Sequence, residues 1–182
     1  RWAKVYQYMK FFEELSIDDI PQVGGKNASL GEMYHHLRPQ GVNLPNGVAT
    51  TADAYRYFLE QAGLNAAISD ALNGIDINDM HDLDKRSAHI RDVIVSAKLP
   101  DDFEEEIKRG YRELCEKCGH GDADMVVAIR SSATAEDLPN ASFAGQQATF
   151  LNIKGEHHVL DRRLGDHLLQ RRTEVLEDHD RL

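Results

Sequence analysis

The sequence predicts an α+β fold, close to α/β, with helices packed on a small mixed sheet. Two observations predict it. Apolar residues recur at helical spacing through most of the first two thirds of the chain. Short β-branched runs that read as strands cluster instead around Arg130. Such segregation of helices from strands leaves the chemistry to strand ends and loops.

Phe11 to Ile20 reads as a short, partly extended entry broken by Asp18-Asp19 and Pro21. Leu30, Met33 and Leu37 then fall at helical spacing; Asn27 or Ser29 can cap that helix, and Pro39 with Gly41 stops it. On this reading Gly24, Gly25 and Lys26 sit just before a helix N-terminus. Asn43 to Thr50 is a short stretch punctuated by Pro45-Asn46-Gly47. Thr51 caps a helix whose inner face is Tyr55, Phe58, Leu59 and Ala62, ended by Gly63. Asp84 to Lys98 forms a second helical pattern with Ile90, Val93, Ile94 and Ala97 inward. After Leu99-Pro100-Asp101 a third follows, lined by Phe103, Ile107, Leu114 and Cys118. Met125 to Arg130 and Ala148 to Ile153 read as strands. From Glu156 onward, leucines at 160, 164 and 168, then Val175 and Leu176, suggest a charged helix.

At 182 residues the chain can bury one good core, with room for a small second lobe. The net charge of −10 disfavours non-specific nucleic-acid binding, which needs a basic surface. No window holds the ~18 apolar residues of a membrane span, and Arg1 to Tyr8 lacks a signal-peptide core. Two cysteines make a disulfide scaffold improbable and fit a reducing cytoplasm. Cys115-x-x-Cys118 lacks the second ligand pair of a structural zinc site, so core packing is the better reading.

Against this acidic background, two stretches can hold an anion. One is Gly24-Gly25-Lys26 before a helix, where oriented N–H groups add to a point charge. A glycine turn before a helix is common, so this signal alone is weak. The other is Val126 to Gln147. An apolar run there delivers Arg130 to its end, small hydroxyl residues follow, and a loop closes on Gly145-Gln146-Gln147. An arginine fork beside closely approachable backbone suits a polyphosphate. Ser131, Ser132 and Thr134 read as turn and cap residues rather than nucleophiles. Glu136 or Asp137 could pair with Arg130 or cap the following turn.

Together, Gly24-Gly25-Lys26-Asn27-Ala28-Ser29-Leu30-Gly31-Glu32 and Arg130-Ser131-Ser132-Ala133-Thr134-Ala135-Glu136-Asp137-Leu138-Pro139, continuing to Phe143-Ala144-Gly145-Gln146-Gln147, resemble the N-terminal part of the phosphoenolpyruvate synthase (pyruvate, water dikinase) family. Pyruvate phosphate dikinases and rifampin phosphotransferases share related versions of both motifs. The resemblance covers roughly Phe11 to Leu160. It implies the N-terminal lobe of an ATP-grasp nucleotide-binding domain over residues 1–160. Residues 161–182 then form an atypical charged helix.

The resemblance further implies that ATP phosphorylates a histidine on a separate domain, from which the phosphoryl group reaches pyruvate in a third. Lys26 and Arg130 match the cations on the ATP phosphates, and Thr149 matches a nucleotide-site residue. The stretch Ser142 to Gln147, with Gly145 and Gln146, matches the loop over the phosphates. Ala148 stands where the family usually has an acidic residue or its equivalent. Magnesium ligands and the adenine pocket belong to a second lobe, and pyruvate to further domains, none of them in this sequence. The chain is therefore expected to be a fragment, a truncation or a frame-shifted product that does not complete the reaction alone. A non-catalytic remnant is the rival reading; it would expose an apolar lobe face open to self-association.

Overall fold

The computed structural model describes residues 6–76, 78–121, 125–132, 149–160 and 172–177, with 131–132 and 172–177 as backbone only. Strand β1 (Met9–Phe11) leads through two 3-10 turns into α1 (Ile20–Val23) and α2 (Gly25–Leu37). Strand β2 (Gly47–Thr50) follows, then four helices: α3 (Ala52–Gln61), α4 (Leu64–Leu72), α5 (Met80–Ser96) and α6 (Asp101–Lys117). The chain closes with β3 (Val126–Ser132), β4 (Thr149–Lys154), the single turn α7 (Glu156–Val159) and β5 (Arg172–Glu177).

The strands form one sheet in the order β1-β2-β5-β3-β4. Every described pairing is antiparallel, so the α+β class holds but the sheet is not mixed. Helices separate β1 from β2 and β2 from β3, but none of these connections builds a parallel pair. Residues 172–177 are a strand, not the helix expected from leucine spacing. As the central strand they satisfy the backbone donors and acceptors of β2 on one side and β3 on the other.

The helix α6 covers one face of this sheet. Phe103, Ile107, Tyr111, Leu114 and Cys115 of α6 share a core with Phe11, Val48, Val127 and Ile129, and Phe150 and Ile153 pack at its edge. The opposite face receives α2 near β2, where Ala49 packs with Val23, Ala28, Tyr34, Phe12 and Leu15. A third cluster, Phe58, Leu64 and Ile94, ties α3, α4 and α5 together. Thr51 accepts the Ala54 N–H at 3.2 Å, capping α3 as expected. The left-handed Gly63 ends α3, but the chain re-enters a helix at once in α4. The α5 helix starts at Met80, four residues before the expected Asp84, because Asp79 accepts the N–H groups of His81 and Asp82 at 3.0 and 3.1 Å.

Candidate functional site

Several residues of the motif from Gly24 to Glu32 dock the helix that carries it. Gly24 has φ +86°, a conformation that side chains resist, and joins α1 to α2 as a single-residue corner. The α2 helix therefore begins at Gly25, earlier than expected, and Lys26 lies within its first turn rather than before it. Asn27 does not cap this helix. Its side-chain amide donates to the Val23 carbonyl at 2.9 Å, in a fully buried position. Gly31 lies flat on Leu15, and Glu32 accepts the Ile17 N–H at 2.9 Å. Three motif residues thus hold α2 against the segment before it, and the partly exposed Lys26 lies in the helix's first turn, where the N-terminal dipole favours an anion.

The second motif places its residues by strand register. Arg130 pairs with Thr149 on β4 and with Glu174 on β5. Directly opposed residues share a face of the sheet. Ile129 and Val48 face the α6 core, so their neighbours Arg130 and Ala49 face the other way, towards the side on which α2 packs. Lys10 confirms this assignment: it stands opposite Ala49 and its ammonium reaches Asp19, just before α1, at 2.7 Å. Arg130, Thr149 and the helix bearing Lys26 thus occupy one side of the sheet, with Arg130 partly buried and Thr149 exposed. Ser131 and Ser132 continue β3 as strand residues, not turn residues. Ser142, Gly145, Gln146 and Gln147, like Thr134, Glu136, Asp137 and Ala148, lie outside the described residues.

Two features that the sequence did not advertise hold this register. The Tyr111 hydroxyl of α6, 1% exposed, donates to the Met125 carbonyl at 2.7 Å and accepts the Gly155 N–H at 3.0 Å. It latches the start of β3 to the end of β4. Between the latch and Arg130, β4 bulges: Val127 pairs with Ile153 and Ile129 with Phe150, so Leu151 and Asn152 together oppose Ala128. Asn152 carries the bulge at φ +59°.

Cys115 is buried and Cys118 partly so, both free thiols, and burial pushes the Cys115 thiol up, away from thiolate chemistry. Among the described residues no three His, Cys, Asp or Glu side chains converge to hold a metal ion. No helix among them is long and apolar enough to cross a membrane.

A glycine-cornered helix end and an arginine-bearing strand thus lie on one side of an antiparallel sheet. Over residues 20–175 the chain matches the family described as "Pyruvate phosphate dikinase, AMP/ATP-binding domain", and it belongs to that family. The match runs past Leu160 and takes in most of β5. The chain is 49% identical over 154 residues to a phosphoenolpyruvate synthase of Pseudomonas aeruginosa, covering 85% of this chain and 19% of the relative. It is 48% identical over 157 residues to a probable phosphoenolpyruvate synthase of Staphylothermus marinus, covering 86% and 18%. With the phosphoenolpyruvate synthase of Neisseria meningitidis it shares 44% identity over 180 residues, covering 95% and 22%. The chain thus spans about a fifth of the length of these relatives.

Proposed function

We propose that this chain is the ATP-binding portion of a phosphoenolpyruvate-synthase-like phosphotransferase, with Lys26 and Arg130 as the cations on the nucleotide's phosphates. The observation that carries the reading is the shared side of the sheet. Arg130 and its cross-strand neighbour Thr149 face the side on which the Lys26 helix packs. Phosphoryl transfer asks the protein mainly for positioning and charge neutralisation. Arg130 offers a planar fork to phosphate oxygens, Thr149 a hydroxyl, and α2 a point charge at the positive end of its dipole. The stretch from Ser142 to Gln147 follows β3 and leads directly to Thr149, which suits its reading as the loop over the phosphates.

In the whole enzyme, ATP, pyruvate and water would give phosphoenolpyruvate, AMP and phosphate by way of a histidine on another domain. Pyruvate recognition would belong to segments beyond this chain, which works in the cytoplasm as one lobe of an ATP-grasp domain. Magnesium would enter as the counter-ion of ATP; the described residues do not form a cage for it. Similarity to several phosphoenolpyruvate synthases favours pyruvate over the acceptors of the related dikinases and of rifampin phosphotransferase-like enzymes.

Calorimetric titration of MgATP into the chain tests the reading. Saturable binding is expected, weakened about 10- to 100-fold by Arg130→Ala through loss of a charge-assisted contact. Binding unchanged by Arg130→Ala refutes the assignment. Absence of binding in the parent chain refutes its competence as an isolated lobe.

A further inference from the structure

We propose that Asn152 is a positioning residue: the bulge it forms in β4 selects Thr149, rather than Phe150, as the neighbour of Arg130. The functional part of this inference rests on the ATP-site reading above; the register part does not.

The lower half of the β3–β4 ladder cannot slide. Val126 pairs with Lys154 and Val127 with Ile153, and the Tyr111 hydroxyl holds Met125 and Gly155 just beyond them. The register above is therefore set by how many residues β4 uses to pass Ala128. With the bulge it uses two, Leu151 and Asn152, and Arg130 meets Thr149. A straight ladder from Ile153 would oppose Asn152 to Ala128, Leu151 to Ile129 and Phe150 to Arg130.

That slip of one residue would turn every upper side chain over. Leu151, now 55% exposed, would enter the α6 core in place of Phe150. Phe150 would stand beside Arg130, and Thr149 would face away from the α2 side. Exchanging a phenylalanine for a leucine at the core edge discriminates weakly between the two registers. The backbone at residue 152 discriminates more strongly. After glycine, asparagine is among the few residues that adopt a left-handed conformation readily, and a β-branched residue resists it.

The test compares three variants of the full chain. Cross-strand backbone NOEs from residue 130 to 149 or to 150 read the register without nucleotide, and MgATP titration reads the site. Asn152→Gly is expected to keep the 130–149 contacts and parent affinity. Asn152→Val is expected to shift contacts to 130–150 and weaken MgATP by about tenfold or more, the scale of a left-handed penalty on a branched residue. Deleting Asn152 removes the bulge but restores pairing of Arg130 with Thr149, so contacts and binding are expected to return.

Retention of the 130–149 contacts in Asn152→Val overturns the proposal, as does their loss in the deletion variant should the valine protein fail to fold. A shifted register with unchanged MgATP binding overturns the functional part. Binding unaffected by Arg130→Ala would instead sink the ATP-site reading, with the register result still standing.

Discussion

Gly31→Ala should destabilise the protein although it adds a better helix former to the middle of α2. A Cβ at position 31 would lie 2.5 Å from Leu15 Cβ and 2.6 Å from the Leu15 carbonyl oxygen. Neither atom is the end of a flexible side chain, and Leu15 is fully buried. Helix and turn would have to part by about half an ångström merely to reach the closest separation real Cβ atoms show. Overpacking of this kind costs about 1–3 kcal/mol, more where backbone must move. The gain in helix propensity is about 1 kcal/mol. The expected net loss is therefore up to about 2 kcal/mol, and towards that end because here backbone must move, read as a lower urea midpoint at unchanged m. Gly110→Ala is the matched control. Its Cβ would meet Met9 Cε at 2.8 Å and Sδ at 3.1 Å, the flexible end of a side chain that can swing aside. That variant should fall within about 1 kcal/mol of the parent or exceed it. A Gly31→Ala protein as stable as the parent would refute the argument, as would equal losses at both positions.

Two further predictions concern the supports of the site. Tyr111→Phe leaves the Met125 carbonyl and the Gly155 N–H without their buried partner, and should cost about 2–3 kcal/mol in denaturant unfolding. At Asp19, burial opposes ionisation, but hydrogen bonds from Lys10 and Ser16 outweigh it and hold the carboxyl below its ordinary value of 3.8. The folded-state value is depressed, so the stabilisation is present above pH 3.8 and is lost as pH falls below it. Asp19→Asn should cost about 1 kcal/mol near neutrality, with the gap to the parent narrowing in acid; a gap independent of pH would refute the ion-pair account.

The helices were the legible part of this fold, because their signals are local. Thr51 and Gly63 bracket α3, Pro39 and Gly41 stop α2, and the apolar stripe of α6 needs no partner to be seen. The illegible part was whatever pairing decides. The strands β1 and β2 have three and four residues, too few for a period, and exist because they pair with each other. Leucine spacing argued for helix towards the C-terminus, but residues 172–177 fill the gap between β2 and β3, a long-range demand that no window shows. Gly63 does end α3 and thereby hides a restart, although Leu64, Ile68 and Leu72 carry helical spacing. The bulge did leave a trace: Phe150 and Ile153 are three apart, and strict alternation cannot put both on the core face. For the candidate site, residue types were readable from the motifs. Which motif residues dock the helix was not, since Asn27, Gly31 and Glu32 take their roles from Val23, Leu15 and Ile17.

The two cations stand on different supports, and α6 is what relates them. Lys26 is carried by α2, which is fixed to the entry segment through Leu15 and Ile17. That segment is in turn bonded to α6: Tyr8 N–H to Glu106 at 2.6 Å, the Tyr6 hydroxyl to Glu113 at 2.6 Å, and Lys117 to Glu13 at 2.6 Å. Arg130 is carried by β3, whose ladder with β4 is latched by Tyr111 of the same helix. Yet α6 lies on the face of the sheet turned away from Arg130. On the proposed reading, one 17-residue helix would set the spacing of Lys26 and Arg130 from the opposite face of the sheet. It follows that substitutions on the buried face of α6, remote from any phosphate, should act on nucleotide affinity and on stability together. Thr149→Ala, at an exposed position, should act on affinity with little effect on unfolding.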